Sequence, residues 1–176
     1  MNEHRYKSHG SGKFKRRDFG KIGKNVVIEP GVRVFHPKSI VIEDNVYIGY
    51  DTIIDANYRG KILIKSGAWI GPQCFINGLG GIEIGKNVGI GAGVKIITSS
   101  HRGKDRKIPI IDSELSVKEV KISQNSDIGI GAIILPGVTL GEGVQIGAGA
   151  VVTKNVPDFE VWAGVPAKKL KKRGVK

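Results

Sequence analysis

Four histidines are the side chains here that can take a proton near neutral pH, and their settings differ. His4 and His9 lie in a stretch rich in Lys and Arg, and His36 falls in a short interruption of an otherwise regular pattern. His101 opens the longest interruption, 97–121, five residues after Ile96. Its root is therefore fixed, and the polar segment behind it can fold over a bound molecule. An imidazole so placed can deprotonate an attacking hydroxyl if its second nitrogen is held by a carbonyl or a carboxylate. Asp105 and Glu114 in the same segment, or a neighbouring copy of the chain, are candidates for that hold. Ser99 and Ser100 read as turn residues, because direct transfer of a group to a hydroxyl needs no serine nucleophile. Arg102, Lys104, Arg106 and Lys107 are interspersed with Asp105, Asp112 and Glu114. That mixture suits either a plain solvated loop or contacts to an acidic sugar or a phosphate.

What positions these residues is a repeat of six. Ile22, Ile28 and Val34 begin it; Ile42, Ile48, Ile54 and Ile64, Ile70, Ile76 follow, then Ile84, Ile90, Ile96. After the interruption it resumes at Ile122, Ile128, Ile134, Leu140, Ile146 and Val152. Six matches neither a helix nor a flat half-buried strand. It matches a solenoid whose every hexad makes one short strand and then turns a corner. Four residues after each anchor stands a second inward residue, small or branched, such as Val46, Ala68, Cys74 or Ala132. Cys74 is thus read as a small apolar residue. The third residue after an anchor is usually Gly or Asn, which accept positive φ. The expected fold is all-β: a parallel β-helix of about six triangular coils with faces of about five residues. The extra residues all follow the third anchor of a coil, so the insertions leave from one corner. Asn77, just after Ile76, then lies one coil from the root of the long loop.

Length and composition set bounds. The 176 residues suit one domain. The expected organisation is a basic N-terminal arm or irregular cap at 1–21, the β-helix at 22–156 with its loop at 97–121, and a C-terminal cap and basic tail at 157–176. Within that tail, Pro157 breaks the hexads, 158–166 is expected to run irregularly over the surface, and AKKLKKR to form a short helix started by Pro166. No apolar run approaches a membrane span and the N-terminus is polar, so a cytoplasmic setting is expected. The net charge of +12 is concentrated at the two ends. Those basic ends permit peripheral membrane association, but no groove with interleaved aromatics supports a nucleic-acid partner. Zinc catalysis needs about three His ligands, which the body lacks, so no metal is expected. Threonines are scattered at 52, 98, 139 and 153 rather than ranked on one flat face, which argues against an ice-binding column.

The hexads, GAIILPGVTLGEGVQIGAGAVVTKNVP at 131–157 and the closing AGVPAKKLKKR resemble the left-handed β-helix acyltransferases. The group most similar is the galactoside, maltose and surface-polysaccharide O-acetyltransferases, through Asn77 and IEIGKNVGIGAGVKIITSSHRGKDRKIPI. That resemblance implies left-handed coiling and a homotrimer, with acetyl-CoA in the groove between columns and a saccharide acceptor beside the loop. It implies His101 as general base, Asn77 holding the acceptor hydroxyl, and Ala148 and Thr153 lining the CoA arm. Lys168 and Lys171 would meet the CoA phosphates. An oxyanion would be met by a backbone N–H or the Asn77 amide. The sequence departs from the group at Asp127, where a Trp is common, and in lacking the N-terminal helical segment of the maltose and galactoside enzymes. The expected activity is O-acetylation of a surface polysaccharide or its precursor; the alternative is N-acetylation of a nucleotide-linked amino sugar.

Overall fold

The computed structural model describes residues 8–174. The coils stack their strands in three parallel sheets, one per face of the column. The first coil is Lys21–Ile22, Val27–Ile28 and Arg33–Phe35; the second is Ile40–Ile42, Tyr47–Ile48 and Ile53–Asp55. Each later coil pairs in register with the one before, so that Ile42, Ile64, Ile84, Ile122 and Leu140 form one stack. Six full coils result. The strands are two or three residues long, shorter than the expected faces, because a corner follows every anchor.

The core is this aliphatic ladder. Ile42, Ile48, Ile54, Ile64, Ile70, Ile76, Ile84, Ile90 and Ile96 are fully buried, and Val46, Ala68, Cys74, Val88, Val94 and Ala132 fill between them. Each sealed side chain contributes about 1.5–3 kcal/mol relative to exposure. Even Asp51 and Gln73 take φ of 57° and 58° at the turn position. Asn155 does not; its side-chain carbonyl instead accepts from the Thr139 N–H. At another corner the coils approach so closely that a Cβ on Gly129 would meet the Ala148 nitrogen at 2.5 Å.

Both ends of the column differ from a bare stack. At the start, residues 8–19 form an irregular cap: Phe19 is buried and its ring packs edge-on against Phe14, centroids 5.4 Å apart. The Arg16 guanidinium donates to the Val26 carbonyl, tying the cap to the first coil. His4 lies outside the described residues.

At the other end the chain does not run irregularly after Pro157. Val156 bridges Leu140, and Glu160–Ala163 pairs with Gln145–Ile146, starting a seventh, incomplete coil. The segment expected to be helical is the strand Lys168–Lys172, antiparallel to Glu160–Ala163. A helix would set Lys168, Lys169, Lys171, Lys172 and Arg173 at repelling i, i+3 and i+4 spacings. The strand separates them and satisfies an open sheet edge. Among the described residues no helix is long and apolar enough to cross a membrane.

Candidate functional site

The insertions do leave from one corner, between the third face of one coil and the first face of the next: Pro37–Ser39, then 55–61, 77–81 and the long excursion. The long excursion is not an open loop. Ser99–His101 and Leu115–Val117 pair antiparallel, making an arm with a 3-10 turn at Ile110–Asp112. Its root is welded to the neighbouring coil by buried Thr98, whose hydroxyl donates to the Asn77 carbonyl at 2.9 Å and accepts the Gly80 N–H at 2.8 Å. The Lys118 N–H closes the base onto the Thr98 carbonyl at 2.9 Å. The arm therefore leaves from the coil next to the one that carries Asn77 and is tied to it by Thr98.

His101 ends the first strand of the arm and is exposed. Its Nδ1 lies 3.1 Å from the Ser113 carbonyl. A carbonyl only accepts, so Nδ1 carries the proton and Nε2 presents a lone pair to solvent. Ser113 is itself held: its hydroxyl donates to the Ile110 carbonyl at 2.7 Å and accepts the Gly103 N–H at 3.2 Å. Of the acids considered from sequence, Glu114 pairs with Arg102 at 3.0 Å and Asp105 accepts the Lys107 N–H at 2.8 Å. Neither orients the imidazole; a backbone carbonyl does, which no residue type could have announced.

Asn77 stands on an outward rail along the third face, where Phe35, Asp55, Asn77 and Ile97 are successive register partners. Continuing the same register, Leu135 and then Thr153 follow, with the Leu135 N–H bonded to the Val152 carbonyl at 3.1 Å. Thr153 is thus three coils from Asn77, about 14 Å at the usual spacing.

Thr153 and Ala148 are exposed at either end of the sixth coil's third strand. The turn before Lys168 docks there, since Val151 N–H reaches the Gly164 carbonyl and Ala167 N–H the Val151 carbonyl. This gathers Ala148, Thr153 and Lys168 at one end, away from Asn77 and the arm. Lys171 lies farther along its strand, opposite Val161. Lys168 and Lys171 are exposed and make no ion pair among the described residues. Lys169 is the one committed inward, to Glu160, whose other oxygen takes the Trp162 indole N–H at 2.8 Å. Those two donors hold the Glu160 carboxyl below its ordinary range.

Two features escaped the sequence. Asp127 leans over Gly89 on the second face, and two coils away on that rail Trp69 stacks on Tyr47, rings 5.7 Å apart and 6° from parallel. An indole therefore does occupy this face, though not at Asp127. The second feature is the contact of His36, whose Nδ1 lies 3.0 Å from Asp55 Oδ1. The signal was available, because His36 directly follows Phe35, and Asp55 is the register partner of that residue on the next coil.

Residues 119–154 match the family of bacterial transferase hexapeptide proteins (six repeats). Over 167 residues the chain is 32% identical to a dTDP-4-amino-4,6-dideoxy-D-glucose acyltransferase from Escherichia coli, covering 92% of this chain and 86% of that one. It is 29% identical over 155 residues to galactoside O-acetyltransferase from Escherichia coli K12, covering 87% of this chain and 64% of the relative. Among solved structures it superposes on AntD, an N-acyltransferase from Bacillus cereus in complex with dTDP-4-amino-4,6-dideoxyglucose and coenzyme A. The TM-score there is 0.81 at 28% identity, over 90% of this chain and 86% of that one. The chain spans 43%, 42% and 40% of the lengths of three further curated relatives.

Proposed function

The chain belongs to the hexapeptide-repeat transferases, and on that footing we propose that it is an acetyltransferase moving an acetyl group from acetyl-CoA to a saccharide. The single observation that carries this reading is the exposed His101 imidazole, held through Nδ1 by the Ser113 carbonyl, which leaves Nε2 as the nitrogen to act on an acceptor. In the proposed reaction Nε2 takes the proton of the acceptor's hydroxyl or amine as its oxygen or nitrogen attacks the thioester carbonyl. The carbon–sulfur bond breaks and the CoA thiolate leaves, recovering the proton from the imidazole. Such general base catalysis contributes about 10²–10⁴-fold. The Asn77 amide, one coil from the root of the arm and bonded to it through Thr98, is proposed to hold the acceptor group.

The residues at the far end suit CoA. Lys168 and Lys171 offer ammonium groups that have no carboxylate partner among the described residues for its phosphates, and exposed Thr153 ends the rail that leads back to Asn77, with exposed Ala148 at the other end of the same strand. The arm presents Ile108, Ile110 and Ile111 in the open, 44%, 67% and 57% exposed. Apolar residues so placed favour burial against another copy. We therefore propose a homotrimer, its sites completed between columns. Two relatives point to different acceptor atoms, a sugar hydroxyl in galactoside O-acetyltransferase and a nucleotide-linked amino sugar in the acyltransferase. O-acetylation of a polysaccharide or its precursor remains the favoured reading, and N-acetylation of a nucleotide-linked amino sugar the second. CoA thiol release from acetyl-CoA, measured across hydroxyl and amino sugars, free and nucleotide-linked, decides between them. Release with hydroxyl sugars is expected; release confined to amino sugars would install the second reading, and no release with no CoA binding would end both.

A further inference from the structure

His36 adopts φ 57° and ψ 49°, a left-handed conformation, immediately before Pro37. That is an unusual choice, since a residue before proline is driven to extended backbone and only glycine and, less often, Asn, Asp or His enter this region. The conformation goes with an imidazole turned back onto the next coil, where Nδ1 donates to Asp55 Oδ1 at 3.0 Å. The same Oδ1 accepts the Asn57 N–H at 2.7 Å, while among the described residues Oδ2 takes no hydrogen bond. The Asp55 side chain is 16% exposed and that of His36 36%. Both therefore sit at the surface without being loose on it. His36 and Asn57 line a cleft of about 310 Å³, with Tyr58, Lys38 and Asp18 around it. Tyr58 is 67% exposed.

Asp55 Oδ2 and His36 Nε2 are two rigidly held acceptors at the corner where His36 and Tyr58 line the cleft; the Arg59 guanidinium lies over the Tyr58 ring, 5.0 Å from its centroid, leaving the opposite face for a ligand. Neither acceptor takes part in the transfer chemistry assigned to His101. Yet Asp55 is the direct register partner of Asn77, one inter-strand spacing away on the outward rail. Vicinal hydroxyls donate well to a fixed carboxylate and imidazole pair, and the apolar face of a sugar ring stacks on a tyrosine.

We infer that the His36–Asp55 pair and Tyr58 form a subsite for the sugar ring of the acceptor, one coil below the reacting group at Asn77. The inference rests on the acetyl-transfer reading. Its experiment first takes, from free and nucleotide-linked hydroxy and amino sugars, the one that wild-type protein acetylates fastest. With that sugar, Asp55→Asn and His36→Asn are assayed for KM of sugar and of acetyl-CoA, and their melting temperatures are measured. Asn keeps the side chain's size at 55 and tolerates the left-handed backbone at 36. Loss of a hydrogen bond to a charged group predicts an acceptor KM raised at least about tenfold in Asp55→Asn. The acetyl-CoA KM and the melting temperature stay at wild-type values. An unchanged acceptor KM in both variants overturns the subsite. So does a fall in melting temperature with both KM values moving together, which marks a mere tether between coils. Wild-type protein that releases no CoA thiol with any sugar overturns the acetyl-transfer reading instead, and the subsite with it.

Discussion

From Ile82 to Val94 the column seals a large aliphatic side chain every few residues, whereas the ten residues His101–Ile110 of the arm are all exposed. The column repeats one solution six times, and its strands bond to coils on both sides. The arm occurs once, pairs only with itself, and is joined to the column at a root built from Thr98, Gly80 and Lys118. The contrast teaches that stability and chemistry are held by separate parts of this chain. Variants should move one without the other.

The largest effect is expected at the arm. His101→Ala should lower turnover by about 10²–10⁴-fold while the melting temperature stays within a degree or two of wild type. Activity retained at a tenth of wild type or better would remove the imidazole from the chemistry. In the column, Ile90→Ala should cost about 2–5 kcal/mol in urea denaturation, because fully buried Ile90 leaves a cavity between rigid neighbouring coils. A loss below about 1 kcal/mol would mean that the stack collapses onto the gap. Replacing Lys168 and Lys171 together by Ala should raise the KM for acetyl-CoA several-fold, more steeply at low salt, and spare the acceptor KM. Equal changes in the two constants would take those lysines off the phosphates.

The smallest effect concerns the C-terminal strand. The Glu160 carboxyl, stabilised in its charged form by Lys169 and Trp162, has its folded value below the ordinary 4.5. Its contribution is thus fully present above that ordinary value and lost as pH falls through the lowered one. Trp162 fluorescence should report loosening of the terminal strands only in acid, below that ordinary value, and Glu160→Gln should flatten that change. A transition near neutrality would assign it to another group.

The column was legible because its rule is written at every sixth residue: anchors, inward small residues and corner turns all kept phase through Val152. The insertion corner followed from counting, and with it the pairing of Ile97 beside Asn77. Legibility failed where backbone rather than residue type decides. Ser113 orients His101 through its carbonyl, and any residue there offers one. Lys168–Lys172 looked helical by composition, but an unpaired edge at Glu160–Ala163 outweighed propensity. The His36–Asp55 contact depends on the coil-to-coil register that sets Phe35 opposite Asp55, not on the two residue types.

The division between column and arm can be cut directly. The Lys118 N–H already bonds to the Thr98 carbonyl as the closing pair of a hairpin, so residues 99–117 can be replaced by a two-residue Asn-Gly turn. The decisive measurement is CoA thiol release by that shortened protein alongside its melting temperature. A column that melts within a few degrees of wild type and releases no thiol above background is the result expected here. A protein without its arm that still transfers acetyl groups, or one that no longer folds, would contradict it.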